Sequence, residues 1–127
     1  MGAKRVEDLI IWQLADQLKA AVYELTETGP AATDWKFRDQ LRDAVGSVTR
    51  NMSEGFGRYR HKQFAVYLRY SRGSLFETTD CLRDGVTRKY WLAPTIQRLL
   101  ILAKRTTKGT TKFIRYLETN PDEPYWE

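Results

Sequence analysis

The chain of 127 residues has one cysteine, one histidine, two methionines, four prolines and no long apolar run. A single thiol, Cys81, excludes an internal disulfide and fits a reducing, cytoplasmic setting. The apolar runs Leu9 to Trp12 and Leu99 to Ala103 fall far short of the roughly 20 residues a membrane span needs, and mean hydropathy is −0.57. Glu7 and Asp8 break any apolar signal core, and Val6 stands where a myristoylation signal carries Ser or Thr, so neither leader nor lipid anchor is expected. The length and 42% apolar content suit a single domain with one core.

The prolines fall at Pro30, Pro94, Pro121 and Pro124, leaving long stretches in which a helix can run uninterrupted. Apolar residues recur at helical spacing in four of them, and no stretch alternates at period two for long. The pattern predicts an all-α protein, an antiparallel up-down-up-down four-helix bundle forming one domain, with helices over about 6–28, 34–58, 62–90 and 94–118. Gly29-Pro30 should stop the first helix, and Asp34 should cap the second. Gly55-Phe56-Gly57 should end or bend that second helix, and Pro94 should fit the first turn of the last. The tail over 119–127 is expected to be poorly ordered. Gly46, Gly73 and Gly85 lie inside predicted helices, where each is expected to permit close helix contact.

Charge is distributed unevenly. Residues 1–57 hold 7 basic and 9 acidic side chains, whereas residues 58–127 hold 14 basic and 7 acidic ones. A localised positive surface follows, and with it a polyanionic partner: nucleic acid, an acidic protein or an anionic membrane surface. The last helix concentrates the signal. On a helical wheel Arg98, Lys104, Arg105, Lys108, Lys112 and Arg115 fall within an arc of roughly 120°, apart from an apolar arc of roughly 140°. From Pro94 to Leu117 there is no acidic residue. A solvated face usually mixes signs, because opposite charges four residues apart support the helix. This face therefore meets phosphates, or is paired by acidic residues of the first two helices in the same or a neighbouring subunit, or stays bare.

A second basic group is Arg58, Arg60 and Lys62, in the turn before the third helix, with Tyr59 among them as a stacking candidate. Tyr67 and Tyr70 are read as core or interface residues, and Trp12 and Trp91 as packing residues. Crowding cations at a helix start opposes the helix dipole, which a bound anion would relieve. Catalysis has little to work with. His61 has no evident carboxylate partner, Cys81 is about five turns away along a helix, and no metal-ligand set or phosphate-cradling glycine loop is present. Glu54 and Glu77 are read either as a buried carboxylate pair or, in preference, as each neutralised by an arginine, with Arg50 and Arg72 the candidates. No enzymatic activity, cofactor or metal is expected.

Three ordered motifs carry a resemblance. Glu7-Asp8-Leu9-Ile10-Ile11-Trp12-Gln13-Leu14-Ala15 is similar to an E-D-L-x-V-W-Q-x-A start. Ser53-Glu54-Gly55-Phe56-Gly57-Arg58 is similar to A-E-G-F-G-R. Phe64, Leu68 and Arg72-Gly73-Ser74-Leu75-Phe76-Glu77 match F-x-x-x-L and R-G-S-L-x-E. Over about residues 6–118 the chain resembles the four-helix bundle protein family, also called the 23S rRNA intervening-sequence proteins, similar in fold to the accessory variability proteins of diversity-generating retroelements. The resemblance implies a bundle assembling into a ring-shaped homopentamer, without enzymatic activity. The retroelement relatives bind nucleic acid and partner with a reverse transcriptase. Arg60 departs from the family, which often has a small hydroxyl residue there.

The combined expectation is a cytoplasmic homo-oligomer that binds RNA or single-stranded DNA through phosphate contacts, with no membrane partner. The alternatives are a scaffold docking an acidic protein such as a reverse transcriptase, and a purely structural ring.

Overall fold

The computed structural model describes residues 3–120. Four long helices, α1 (Ile10–Leu25), α3 (Trp35–Phe56), α4 (His61–Thr87) and α5 (Gln97–Glu118), are joined by short connections, one of which holds the single-turn helix α2 (Pro30–Thr33). Short 3-10 turns at Val6–Asp8 and Ala93–Ile96 precede α1 and α5. Among the described residues every regular element is helical.

Contacts between neighbouring helices fix their directions. Ser47 of α3 shares a 2.8 Å hydrogen bond with Ser74 of α4, the Ser71 hydroxyl donates to the Val48 carbonyl at 2.8 Å, and Phe37 packs on Tyr90 and Trp91 beyond the far end of α4. Residue numbers rise along one helix as they fall along the other, so the pair is antiparallel. Phe64 against Phe113 and Arg72 donating to Thr111 give the same sense for α4 and α5. Arg42 bonding Thr26 and Tyr23, with Trp12 lining a cleft beside Ser53 and Glu54, gives it for α1 and α3. The bundle is up-down-up-down.

Each helix buries one stripe: Leu18 and Val22 from α1, Leu41, Val45, Val48 and Met52 from α3, Phe64, Leu68, Leu75 and Leu82 from α4, and Leu99, Leu102, Ile114 and Leu117 from α5. Full burial of one such side chain contributes roughly 1.5–3 kcal/mol. Two hydroxyls inside this core are satisfied locally: Thr26 and Thr106 donate to carbonyls four residues back. The Thr110 hydroxyl and the Trp12 indole N–H are buried without a hydrogen-bond partner among the described residues.

Helix ends refine the sequence reading. Asp34 caps α3, its Oδ1 accepting from the Phe37 N–H at 3.2 Å. The first helix is shorter than the periodicity predicts, because Leu9 adopts an extended conformation ahead of it and Thr26 closes it. Arg42 reaches across to the Tyr23 carbonyl there, placing a cation at a helix C-terminus, where the dipole favours it. The third predicted helix stops at Thr87, three residues early. Lys89, at φ 65, forms a left-handed cap with Tyr90 N–H donating to Gly85 O and Lys89 N–H to Val86 O.

Of Gly46, Gly73 and Gly85, the last serves close packing against a residue from outside its own helix: a Cβ there would meet the Trp91 ring at 2.2 Å. At Gly46 it would meet Arg50 of the same helix, and at Gly73 nothing within 4 Å, so among the described residues the expected close helix contact is absent at both. The Asn120 carbonyl accepts from His61 Nδ1 at 2.7 Å; from residue 121 onward the expectation for the tail over 119–127 lies outside the described residues.

Candidate nucleic-acid interface

The α5 face is the larger of two basic surfaces. Arg98, Lys104, Arg105, Lys108, Lys112 and Arg115 are all exposed. None has a carboxylate within 4 Å among the described residues; the ion pairs lie elsewhere, as in Arg50–Asp43, Arg58–Glu54, Arg69–Glu118 and Arg88–Asp84. Pairing by acidic residues of the same subunit is thus overturned for this face. At 1.5 Å rise per residue the six cations span about 25 Å of helix. The opposite side of α5 supplies Leu99, Leu102, Ala103, Ile114 and Leu117 to the core, which holds the cationic side outward.

The ridge is not uniform. Arg98 borders a cleft of about 590 Å³ with Gln17, Tyr23, Glu24 and Glu27 of α1 and its C-terminal turn. It also borders a second cleft of about 310 Å³ with Glu24 and Thr95. Those carboxylates weaken the field around Arg98, so the strongest run is Lys104 to Arg115. Ile101 and Tyr116 are exposed on the same side of α5. Tyr116 was not singled out by charge reasoning, although its place one residue after Arg115 and four after Lys112 puts it beside the basic arc.

The second surface is the turn from α3 to α4, at the end of the bundle where α5 finishes. Gly57 ends α3 in an ordinary right-handed conformation, φ −70. The left-handed residue is Tyr59, φ 75. That region is disfavoured by roughly 1–2 kcal/mol for a residue with a Cβ. Tyr59 is 46% exposed, with the Arg60 guanidinium 5.9 Å from its ring centroid. Arg60 occupies the N-cap position of α4 without a side-chain cap. Lys62 is exposed.

Arg58 has partners within the chain. It bonds Glu54 at 2.8 Å and the Tyr67 hydroxyl at 2.8 Å, and lies over the Tyr67 ring, so its charge is already engaged. The pairing predicted for the acids is also corrected: Glu54 pairs with Arg58 instead of Arg50, and Arg72 bonds Thr111. Glu54 and Glu77 are both exposed. Exposed carboxylates do not require the neutralising partner that burial would demand. Tyr67 packs edge-on against Tyr70, which is itself largely exposed. Trp91 is buried and donates to the Leu82 carbonyl at 3.1 Å, as a packing residue should.

His61 lies inward, 2% exposed, against the Tyr116 ring at 5.7 Å, and ties the start of α4 to the end of α5. Burial raises the Cys81 thiol above its ordinary value, with the nearby Glu77 carboxylate adding to the effect, which disfavours the thiolate. Among the described residues no three His, Cys, Asp or Glu side chains are grouped to hold a metal ion, and no helix is long and apolar enough to cross a membrane.

No curated protein matches the chain. Residues 7–112 match the family described as 23S rRNA-intervening sequence protein, a span that includes all three sequence motifs and the basic face as far as Lys112. A match over most of the chain, joined to an all-helical bundle, places this protein in the 23S rRNA-intervening sequence protein family.

Proposed function

We propose that the protein is a non-enzymatic, oligomeric nucleic-acid-binding protein of the cytoplasm, taking RNA or single-stranded DNA through phosphate contacts without strong sequence specificity. The observation that carries the reading is the α5 face: six exposed cations along one side of a helix, with no carboxylate against them among the described residues. Such a face repels itself, and phosphates relieve the repulsion while releasing condensed counterions. The family's name, with its reference to 23S rRNA, supports RNA as the polyanion. Lys104, Arg105, Lys108, Lys112 and Arg115 are assigned the phosphate contacts, with Arg98, Arg60 and Lys62 at the margins.

Self-association is proposed from a different surface. Val66, Tyr70 and Phe76 are exposed along α4 around Gly73, where no described residue lies within 4 Å of a side-chain position. A glycine in an exposed helix costs about 1 kcal/mol relative to alanine. A second copy approaching closely would account for it. The pentamer implied by the family resemblance would multiply weak contacts through avidity.

The test is purification at low and at high salt, with absorbance at 260 nm read across the protein peak. Nucleic acid that travels with the protein at low salt and leaves at high salt supports the reading. Should an acidic protein such as a polymerase co-purify instead, the scaffold reading replaces it.

A further inference from the structure

Arg72 lies partly buried on α4, facing α5, and its one hydrogen bond among the described residues goes to the Thr111 hydroxyl at 3.2 Å. No described carboxylate stands within 4 Å of it, since the ion pairs all involve other residues. A guanidinium carries five N–H donors in a planar fork, and a neutral hydroxyl takes one of them. Withdrawing that charge from water is costly unless an anion faces it. Arg58, Arg69 and Arg88 meet the cost with a carboxylate each. Around Arg72 the neighbours are cations instead. Lys108 stands three residues before Thr111 and Arg115 four after it, which puts both on the adjoining turns of the same face of α5, with Lys104 one turn further. All three are exposed. Glu118, at the end of α5, is held by Arg69, one turn before Arg72 on α4. The groove between α4 and α5 therefore has positive charge on both walls.

We propose that this groove is a phosphate clamp, in which Arg72 takes two oxygens of one backbone phosphate while Lys104, Lys108 and Arg115 neutralise the phosphates on either side. The proposal rests on the phosphate-binding reading of α5 and adds the residue that fixes where the strand sits. Lysines on the ridge act as point charges on flexible stems, which attract a polyanion without placing it. A guanidinium fork matches two phosphate oxygens at once and so adds geometry to attraction. Thr111 is a positioning residue: it accepts from Arg72 and holds the fork in the groove without cancelling its charge, as a carboxylate there would. A carboxylate from a second copy could fill the same fork. The row of cations beside it, each without an acid among the described residues, favours a chain of phosphates over one carboxylate.

The test measures binding of labelled oligoadenylate by the full chain across a salt series. Arg72→Lys keeps the charge and loses the fork, so it should bind about tenfold more weakly at an unchanged salt slope. Arg72→Gln loses the charge as well, and its slope should be shallower by about 0.7 in log K per unit of log salt. Thr111→Val removes the acceptor and no charge, so it should bind about threefold more weakly at the wild-type slope. Should the Arg72 variants fail to fold, Thr111→Val carries the same test. Light scattering of Arg72→Lys should give the wild-type mass; a smaller assembly would mean that Arg72 meets a carboxylate of a second copy, and overturns the clamp. Wild-type affinity in Arg72→Lys overturns it too, and if Arg105→Glu/Lys112→Glu still loses affinity the phosphate reading stands. A wild-type chain that binds no oligoadenylate at low salt overturns both.

Discussion

The ring of Trp91 fills the space that a side chain at position 85 would need: a Cβ built on Gly85 would stand 2.2 Å from Trp91 Cζ2 and 2.5 Å from Cε2. The ring cannot retreat cheaply, because its N–H is bonded to the Leu82 carbonyl and its edge lies against Phe37. The left-handed cap at Lys89 delivers Trp91 to that position. Gly85→Ala should therefore destabilise the bundle by about 1–3 kcal/mol, because overpacking outweighs the better helix propensity of alanine. A urea melt of the variant with unchanged slope and a lowered midpoint is the expected result.

Asp34 binds the same end together. Its Oδ1 caps α3, while its Oδ2 accepts from the Tyr90 hydroxyl and from Arg88 at 3.1 Å. The hydrogen bond from Tyr90, followed by that from the Phe37 backbone, holds the Asp34 carboxyl below its ordinary value of 3.8. A carboxyl depressed on folding contributes stability above its unfolded value, and loses it as pH falls through the folded value. Asp34→Asn should lower the melting temperature at neutral pH, and the gap to wild type should close as the medium is acidified below about 3.8. Thermal melts across an acid series check both the direction and the window.

The α4 surface makes a prediction about assembly. Phe76→Glu introduces a charge on a residue that the chain itself leaves exposed, so the monomer fold should survive with a stability change within about 0.5 kcal/mol. Light scattering should then read a monomer mass for the variant and a multiple of it for the wild type. A wild-type monomer would remove the oligomeric part of the proposed function.

Helical periodicity made the bundle legible, since each long helix overlaps a stretch that the spacing marks, although Leu102 and Thr106 of α5 are buried outside the stripe it picks out. Cap residues were legible where the cue is chemical, as at Asp34, and less so where it is geometric. No residue preference announces that Tyr59 and Lys89, instead of a glycine, take the left-handed positions. The basic face of α5 could be read because six cations share one arc with no acid between Pro94 and Leu117. What sequence could not supply was the partner of each charge. Arg58 and Glu54 are four residues apart and pair with each other, whereas Glu54 with Arg50, equally spaced, do not. The acidic neighbourhood of Arg98 comes from α1, more than 70 positions earlier, and only packing reveals it.

The central claim is that the α5 face contacts phosphates, and its most direct test is the salt dependence of RNA binding by wild type and by Arg105→Glu/Lys112→Glu. Binding of a single strand loses about 0.7 in log K per unit of log salt for every phosphate neutralised. The wild type should give a steep slope, and the double variant a slope shallower by at least about 1.4 with a large loss of affinity at low salt. Equal slopes and equal affinities for the two proteins would contradict the account.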